Sequence, residues 1–403
     1  MYDVIIVGAR CAGAPLAMLL ARGGAKVLAV DRATFPSDIP HGHFIHRQGP
    51  ARLKAWGLLD RVAAACMPIA EQLSDLGDFP LVVRDLASDG VAWGYGPRRA
   101  ALDAIFVDAA IEAGAELRQA FTVDEFLVDG DRITGIRGRT PNGTAVEEHA
   151  AITVGADGRH SKLAKAVGAA VYDEAPTLLC YYFSYWSGVE ALPFELYHRT
   201  AERRVIFSFR TTDDLYAVFV GSPIVELPSI RADIDAHVRR ALALAPDFGR
   251  RVLDGRREER YYGATDLPNF YRKPYGEGWA LVGDAGCHKD PYMALGIADA
   301  LRDADLLAAA ILDGLDGRRP LAAALEGYER ERNAASTAVY QQNLNAARFE
   351  PTPEEVLRIR QAVRFNPAEA TRMTMARFAM IDPREFFNPE HLQRVLGAAS
   401  ETT

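Results

Sequence analysis

Cysteine is scarce in this chain, and its scatter excludes several functions at once. Cys11, Cys66, Cys180 and Cys287 stand far apart with no metal-ligand spacing, so neither a zinc module nor a disulfide framework is readable. No basic run occurs anywhere, and the formal net charge of −8 argues against nucleic acid as the main partner. No apolar run approaches the length of a membrane span. Asp3 interrupts the N-terminus too early for a secretory signal, and unclustered cysteines suit a reducing compartment, so a cytoplasmic protein is expected. Internal repeats and low-complexity tracts are missing too. What is left is a 403-residue chain, 49% hydrophobic and 25% charged, which fits one large or two intertwined globular domains.

The chemistry starts at the N-terminus. Asp3 to Val7 is a short apolar run rich in β-branched residues, the pattern of a parallel strand buried on both faces. Gly8 and Gly13 follow, then a helical run Ala14 to Arg22, then a second apolar run from Lys26 to Val30 that ends at Asp31. Strand, glycine turn, helix, strand and terminal acid make the nucleotide-binding βαβ unit. Gly8 permits the tight turn and Gly13 the close helix packing. The free N–H groups of the helix start suit a pyrophosphate, and Asp31 stands where a carboxylate accepts from ribose hydroxyls. One position departs from G-x-G-x-x-G: the middle glycine is Arg10, whose guanidinium could lie over the phosphates.

Further along, a loop from Arg32 to Gln48 carries His41, His43 and His46. Their spacing is no standard zinc pattern, and no metal is expected. Helical spacing follows over Gly49–Ala65 and Ala101–Ala113. Short strands fill Glu71–Tyr95, with a hairpin turn at Ser88-Asp89-Gly90. Strands are expected at Ala115–Arg118, Thr122–Val128, Ile133–Arg137 and His149–Val154, with a turn over Asp129–Arg132. The block Tyr172–Asp266 is aromatic and reads as antiparallel sheet, with a helix over Ile230–Leu244. Trp279–Val282 returns to a buried strand and Gly296–Leu312 to a helix. From Pro320 the chain is helical and broken by prolines, and Ser400–Thr403 is expected to lack order. The expected fold is α/β: a doubly wound Rossmann-like domain (1–70, 97–171, 267–325), an inserted antiparallel β-sheet substrate domain (71–96, 172–266) and a C-terminal helical segment (326–403).

Two further motifs each end a strand in glycine and aspartate. The first is Val154-Gly-Ala-Asp157-Gly158-Arg-His-Ser161. The second is Trp279-Ala-Leu-Val-Gly283-Asp284-Ala-Gly-Cys287-His288-Lys-Asp-Pro291, with Gly296 opening a helix just beyond. An aspartate at the carboxyl end of a parallel strand faces the ligand crevice, and a helix start there favours negative charge. With the first motif, this set resembles the flavoprotein monooxygenases of the p-hydroxybenzoate hydroxylase type and the related geranylgeranyl reductases, over roughly residues 1 to 330. The resemblance implies an FAD site built from Gly8, Arg10, Cys11, Ala12, Gly13, Asp31 and Arg32 for the pyrophosphate and ribose. It implies Arg99, in an R-x-x-L pattern, against the cofactor, and Val123 backbone groups near adenine. Asp157 would support FAD and the nicotinamide, while Gly283 and Asp284 would hold the ribityl chain. Pro291, Gly296, Ile297 and Ala298 would pass the flavin ring.

The departures are local. The family's P-x-G-G-x-G-x-N reads Pro291-Tyr-Met-Ala-Leu-Gly-Ile-Ala298, bulkier and less polar, and its histidine after G-D-A-A is displaced to His288. Trp186 and Trp279 lack the W-x-W-x-I-P context of the flavin-dependent halogenases. His46 and Arg47, on the loop that passes the flavin in this family, and His288, on the G-D motif, are the candidate catalytic residues. The resemblance implies an FAD-dependent monooxygenase of secondary metabolism. NADH or NADPH would be the donor, molecular oxygen a co-substrate, and a flavin C4a-hydroperoxide would hydroxylate an apolar or aromatic small molecule. The rivals are a flavin-dependent reductase of carbon–carbon double bonds and a flavin-binding protein without turnover. A monomer or homodimer is expected.

Overall fold

The computed structural model describes residues 1–39 and 42–400. His41 of the loop trio and the tail 401–403 lie outside the described residues. Two compact units emerge: residues 1–43, 98–176 and 268–344 form the first, and residues 44–97, 177–267 and 345–403 the second.

The first unit is built on a parallel sheet. Its strands run in the order Glu116–Arg118, Val27–Val30, Tyr2–Val7, Ala145–Gly155, with Trp279–Leu281 beyond. The central strand Tyr2–Val7 is almost wholly buried because both faces of the sheet are covered, one by helix and the other by the antiparallel ribbon through Val123 and Ile136, which is why its sequence does not alternate. The helix Gly13–Arg22 packs on both Arg99–Glu112 and Gly296–Leu315. Ala145–Gly155 is longer than its parallel neighbours. Its first half leaves the parallel sheet to pair antiparallel with Arg132–Arg139, which pairs in turn with Thr122–Asp129. The expected hairpin turn closes that ribbon: Asp129 faces Arg132, and Gly130 takes the left-handed conformation a tight turn demands.

The second unit is a largely antiparallel sheet. Leu179–Ser187, Tyr216–Pro223, Arg204–Arg210 and Phe194–Arg199 lie in that order, followed by Gln72–Asp75 and Pro80–Val83. One face packs on the helices Ile234–Leu242 and Pro246–Asp254 through Trp186, Ile206, Val218, Val220, Val238 and Phe248. The expected helix over Ile230–Leu244 is broken at Asp233, whose side chain accepts from the Ala236 N–H and so starts a new helix there. The expected helix over Gly49–Ala65 is likewise two, Gly49–Ala55 and Leu59–Ala65, parted at Gly57 with φ of 75°.

The unit boundaries differ from those read in the sequence. Residues 44–70 group with the second unit, because Ile45–His46 and Pro68–Ile69 both pair with Gly94–Tyr95. Residues 345–403 also join it rather than standing as a separate segment. Among the described residues, no helix is long and apolar enough to cross a membrane.

Candidate functional site

The parallel register aligns the strand ends of the first unit. Val7 pairs with both Val30 and Gly155, and Gly155 with Leu281, so the three motifs leave the sheet at one edge. They also touch. Gly8 has φ of 103°, and a Cβ there would run into the backbone of Ala156. A Cβ on Gly13 would overlap the Gly8 carbonyl. A Cβ on Gly283 would come within 2.8 Å of the Ala12 methyl. The glycines are thus required by the close approach of turns to each other as well as to a ligand.

Each sequence-derived aspartate has a distinct environment. Asp31 is buried and accepts from the backbone N–H groups of Ala9 and Ala33, both at 2.8 Å, which fixes its carboxylate beside the first turn. Asp157 accepts from the Lys162 N–H at 2.6 Å through one oxygen, while its other, buried oxygen has no hydrogen-bond partner among the described residues. Burial pushes the Asp157 carboxyl above its usual range, against the hydrogen bonds it accepts. Asp284 is the one exposed residue between Gly278 and Asp290. A carboxylate projecting from an otherwise buried turn, and a buried acceptor oxygen on Asp157 at the end of the neighbouring strand, are what a hydroxyl-rich ligand would satisfy.

The remaining cofactor candidates are placed as follows. The helix Gly13–Arg22 starts at Ala12 with no side-chain cap and no acidic residue in its first turn, so its N–H groups have no anion of their own. Cys11 donates its thiol hydrogen to Asp103 at 3.3 Å, and burial holds the thiol protonated. Arg10 and Arg99 both bind Asp103. Burial works against the Arg99 charge, but the nearby carboxylates of Asp103 and Asp284 favour it, and its pKa lies above the ordinary value. Arg32 is exposed. The Val123 carbonyl accepts from Lys162 Nζ at 2.9 Å, tying that strand to the Asp157 turn. Pro291 opens a single 3-10 turn capped by Asp290, and Gly296, exposed with open space around it, opens the helix that carries Ile297 and Ala298.

The candidate catalytic residues separate. His288 belongs to the first unit, where it is buried in a short strand, with Nδ1 against the Pro268 carbonyl and its ring stacked on Phe270. One ring nitrogen and one ring face of His288 are thus already engaged within the protein. His46 and Arg47 belong to the second unit. The His46 ring is buried among Phe44, Trp93 and Phe378, and Arg47 takes the left-handed conformation with its guanidinium over Phe378. His43 is fully buried, its pKa pushed down to about 3 by burial and by Arg99 and Arg98. Among the described residues, no three His, Cys, Asp or Glu side chains are grouped to hold a metal.

Several supporting residues carried no motif. Arg272 donates to the carbonyls of Arg159 and Ala285, stapling the second motif to the third. Asn269 and Asn343 brace the Asp290–Met293 turn from two sides. Lys289, Asp299, Arg302 and Asp303 form a mostly buried ion network on the first turns of the Gly296–Leu315 helix.

Fold and edge together define a dinucleotide-binding α/β protein of the flavoprotein kind: a cradle of glycines and an uncapped helix start, with three carboxylates just beyond the ends of parallel strands. The chain belongs to the FAD binding domain family, whose model matches residues 1–343. Among curated relatives, protein FixC of Salmonella typhi is 30% identical over 185 residues, covering 43% of this chain and 41% of FixC. This chain therefore spans about two fifths of that relative. Rifampicin monooxygenase of Rhodococcus hoagii is 26% identical over 348 residues, covering 84% of this chain and 69% of the relative. Digeranylgeranylglycerophospholipid reductase 2 of Methanothermobacter thermautotrophicus is 25% identical over 338 residues, 81% and 82% of the two chains. Among solved structures, the myxobacterial chondrochloren halogenase superposes with a TM-score of 0.78 at 20% identity, covering 99% and 96%. At that identity the likeness establishes the shared fold.

Proposed function

We propose that this protein is an NAD(P)H-dependent monooxygenase that hydroxylates an apolar or aromatic small molecule. The carrying observation is the aromatic character of the second unit's sheet on the face turned away from its helices, where these side chains are buried. Tyr181, Phe183 and Tyr185 alternate onto the face opposite the helices. There Phe183, Phe219 and Phe207 stack across three strands, with ring centroids 4.4 and 4.6 Å apart. A helix-packing sheet accounts for one aromatic face only, and the second is a flat apolar wall suited to an apolar or aromatic substrate. The similarity to rifampicin monooxygenase over most of this chain supports the same reading.

Bound FAD would supply the redox chemistry, moving two electrons from NAD(P)H to oxygen. The net reaction is substrate, O2, NAD(P)H and a proton giving hydroxylated product, water and NAD(P)+. The chain's own groups bind and orient. Gly8 to Gly13 and the helix start would take the diphosphate, Asp31 the ribose, and Asp157 and Asp284 further hydroxyls. The start of the Gly296–Leu315 helix would favour negative charge on the reduced ring. Apolar walls would keep water from the reacting atoms. His46, with Arg47 next to it, is the group proposed to carry a proton. His46→Gln should purify with full flavin yet turn over at least tenfold more slowly; unchanged turnover would remove it from the mechanism.

The reductase relative favours a second reading, in which NAD(P)H and a proton saturate a carbon–carbon double bond without oxygen. Turnover under labelled oxygen separates the two. Label in the product supports hydroxylation. Product formed at the same rate without oxygen, and without label, supports the reductase.

A further inference from the structure

Arg10 stands where the phosphate-binding fingerprint has a glycine, and its surroundings show why a long cation fits there. Asp103 lies one helical turn after Arg99 and is fully buried. A buried carboxylate needs a counter-charge. Arg99 alone provides it, donating from Nε at 3.2 Å and from Nη2 to both oxygens at 3.0 Å. Arg10 is a second guanidinium on the same carboxylate, with Nη1 at 2.8 Å from Oδ2. Two guanidiniums share this one buried carboxylate, and Asp284, whose charge also reaches Arg99, is exposed and screened by solvent, so positive charge is left over at Arg10.

That surplus charge is held in place. Arg10 Nη2 donates to Ser37 Oγ at 3.1 Å, and the guanidinium lies over the Phe35 ring, 5.3 Å from its centroid. Its side chain keeps 23% of its surface exposed, whereas Asp103 keeps none. It sits in the turn between Gly8 and Gly13, directly ahead of a helix start that has neither a cap nor an acid of its own. A guanidinium fixed on three sides has already lost its rotamer freedom, and its fork matches phosphate oxygens.

We propose that Arg10, oriented by Asp103, supplies a fixed positive charge to the diphosphate of FAD, replacing the close backbone approach that the missing glycine would give. Asp103 is the positioning residue for this contact. The inference rests on the FAD reading and goes beyond it in naming how this chain holds the anion.

The test titrates flavin-free full-length protein with FAD, ADP and riboflavin, following fluorescence or heat, at several salt concentrations. Arg10→Gly writes the complete three-glycine fingerprint. It should nonetheless weaken FAD and ADP at least tenfold, leave riboflavin binding unchanged, and flatten the salt dependence of FAD affinity. Asp103→Asn should weaken the same two ligands and add little when combined with Arg10→Gly. FAD binding as tight or tighter in Arg10→Gly overturns the proposal, whatever the fate of Asp103→Asn. An equal loss of riboflavin and ADP also overturns it, since that pattern belongs to a damaged fold. Wild-type protein that binds none of the three would defeat the FAD reading itself.

Discussion

At the scale of single residues, the site turns on where a side chain or its absence is forced. Asp284 is exposed on a turn whose neighbours are buried, so its carboxylate is free for a ligand. Asp284→Ala should fold normally but lose flavin affinity at least tenfold, read as the ratio of 450 nm to 280 nm absorbance after purification; full yellow occupancy would remove the assignment. Ala294 shows the reverse problem. It occupies a position that is glycine in the related pattern, and it adopts φ of 51°. A left-handed alanine costs about 1 kcal/mol relative to glycine. Ala294→Gly should therefore stabilise the protein by about that amount in thermal or denaturant unfolding, and a loss of stability would mean the methyl packs usefully. The three aspartates and the glycines were legible in the sequence because their motifs sit at strand ends. Asp103, Asn269, Arg272 and Asn343 were not, because each acts through a partner distant in the chain, and spacing alone does not reveal such pairs.

At the scale of elements, pattern and turn chemistry located most strands and helices, and tertiary capping set the breaks. Asp233 splits one expected helix by capping the next, and Gly57 splits another. The C-terminal helices illustrate what periodicity does not carry. Their attachment depends on Arg360, which is almost fully buried. It donates to both Asp78 oxygens at 2.8 and 3.0 Å, and to Ser74 Oγ and the Ser74 and Phe79 carbonyls, each at 3.0 Å. Every donor of the guanidinium fork faces the Gln72–Val83 hairpin. Arg360→Ala would leave Asp78 without its counter-charge and should cost about 3–5 kcal/mol. Limited proteolysis should then cut within Glu354–Val363 well before the sheet is lost. Unaltered protease resistance and stability would show the helix is held by its apolar contacts alone.

At the scale of the whole molecule, two buried histidines of the second unit set a pH dependence. Burial first, then nearby arginines, push His198 and His237 down to about 4. Unfolded, each would protonate near 6.5. Between those values the unfolded chain binds more protons, so stability falls as pH drops from about 6.5 toward 4, by up to about 1.4 kcal/mol per pH unit for each group. His237→Gln, which can still reach Ser222 as His237 does at 3.0 Å, should make the acid slope of the unfolding midpoint shallower; an unchanged slope would place the titration elsewhere. The most direct measurement mixes the anaerobically reduced protein rapidly with oxygen and records absorbance. An oxygenase should pass through a transient spectrum distinct from both reduced and oxidised flavin, longer-lived when an aromatic ligand is present. Direct return to the oxidised spectrum, with and without such ligands, would contradict oxygen activation and leave the reductase.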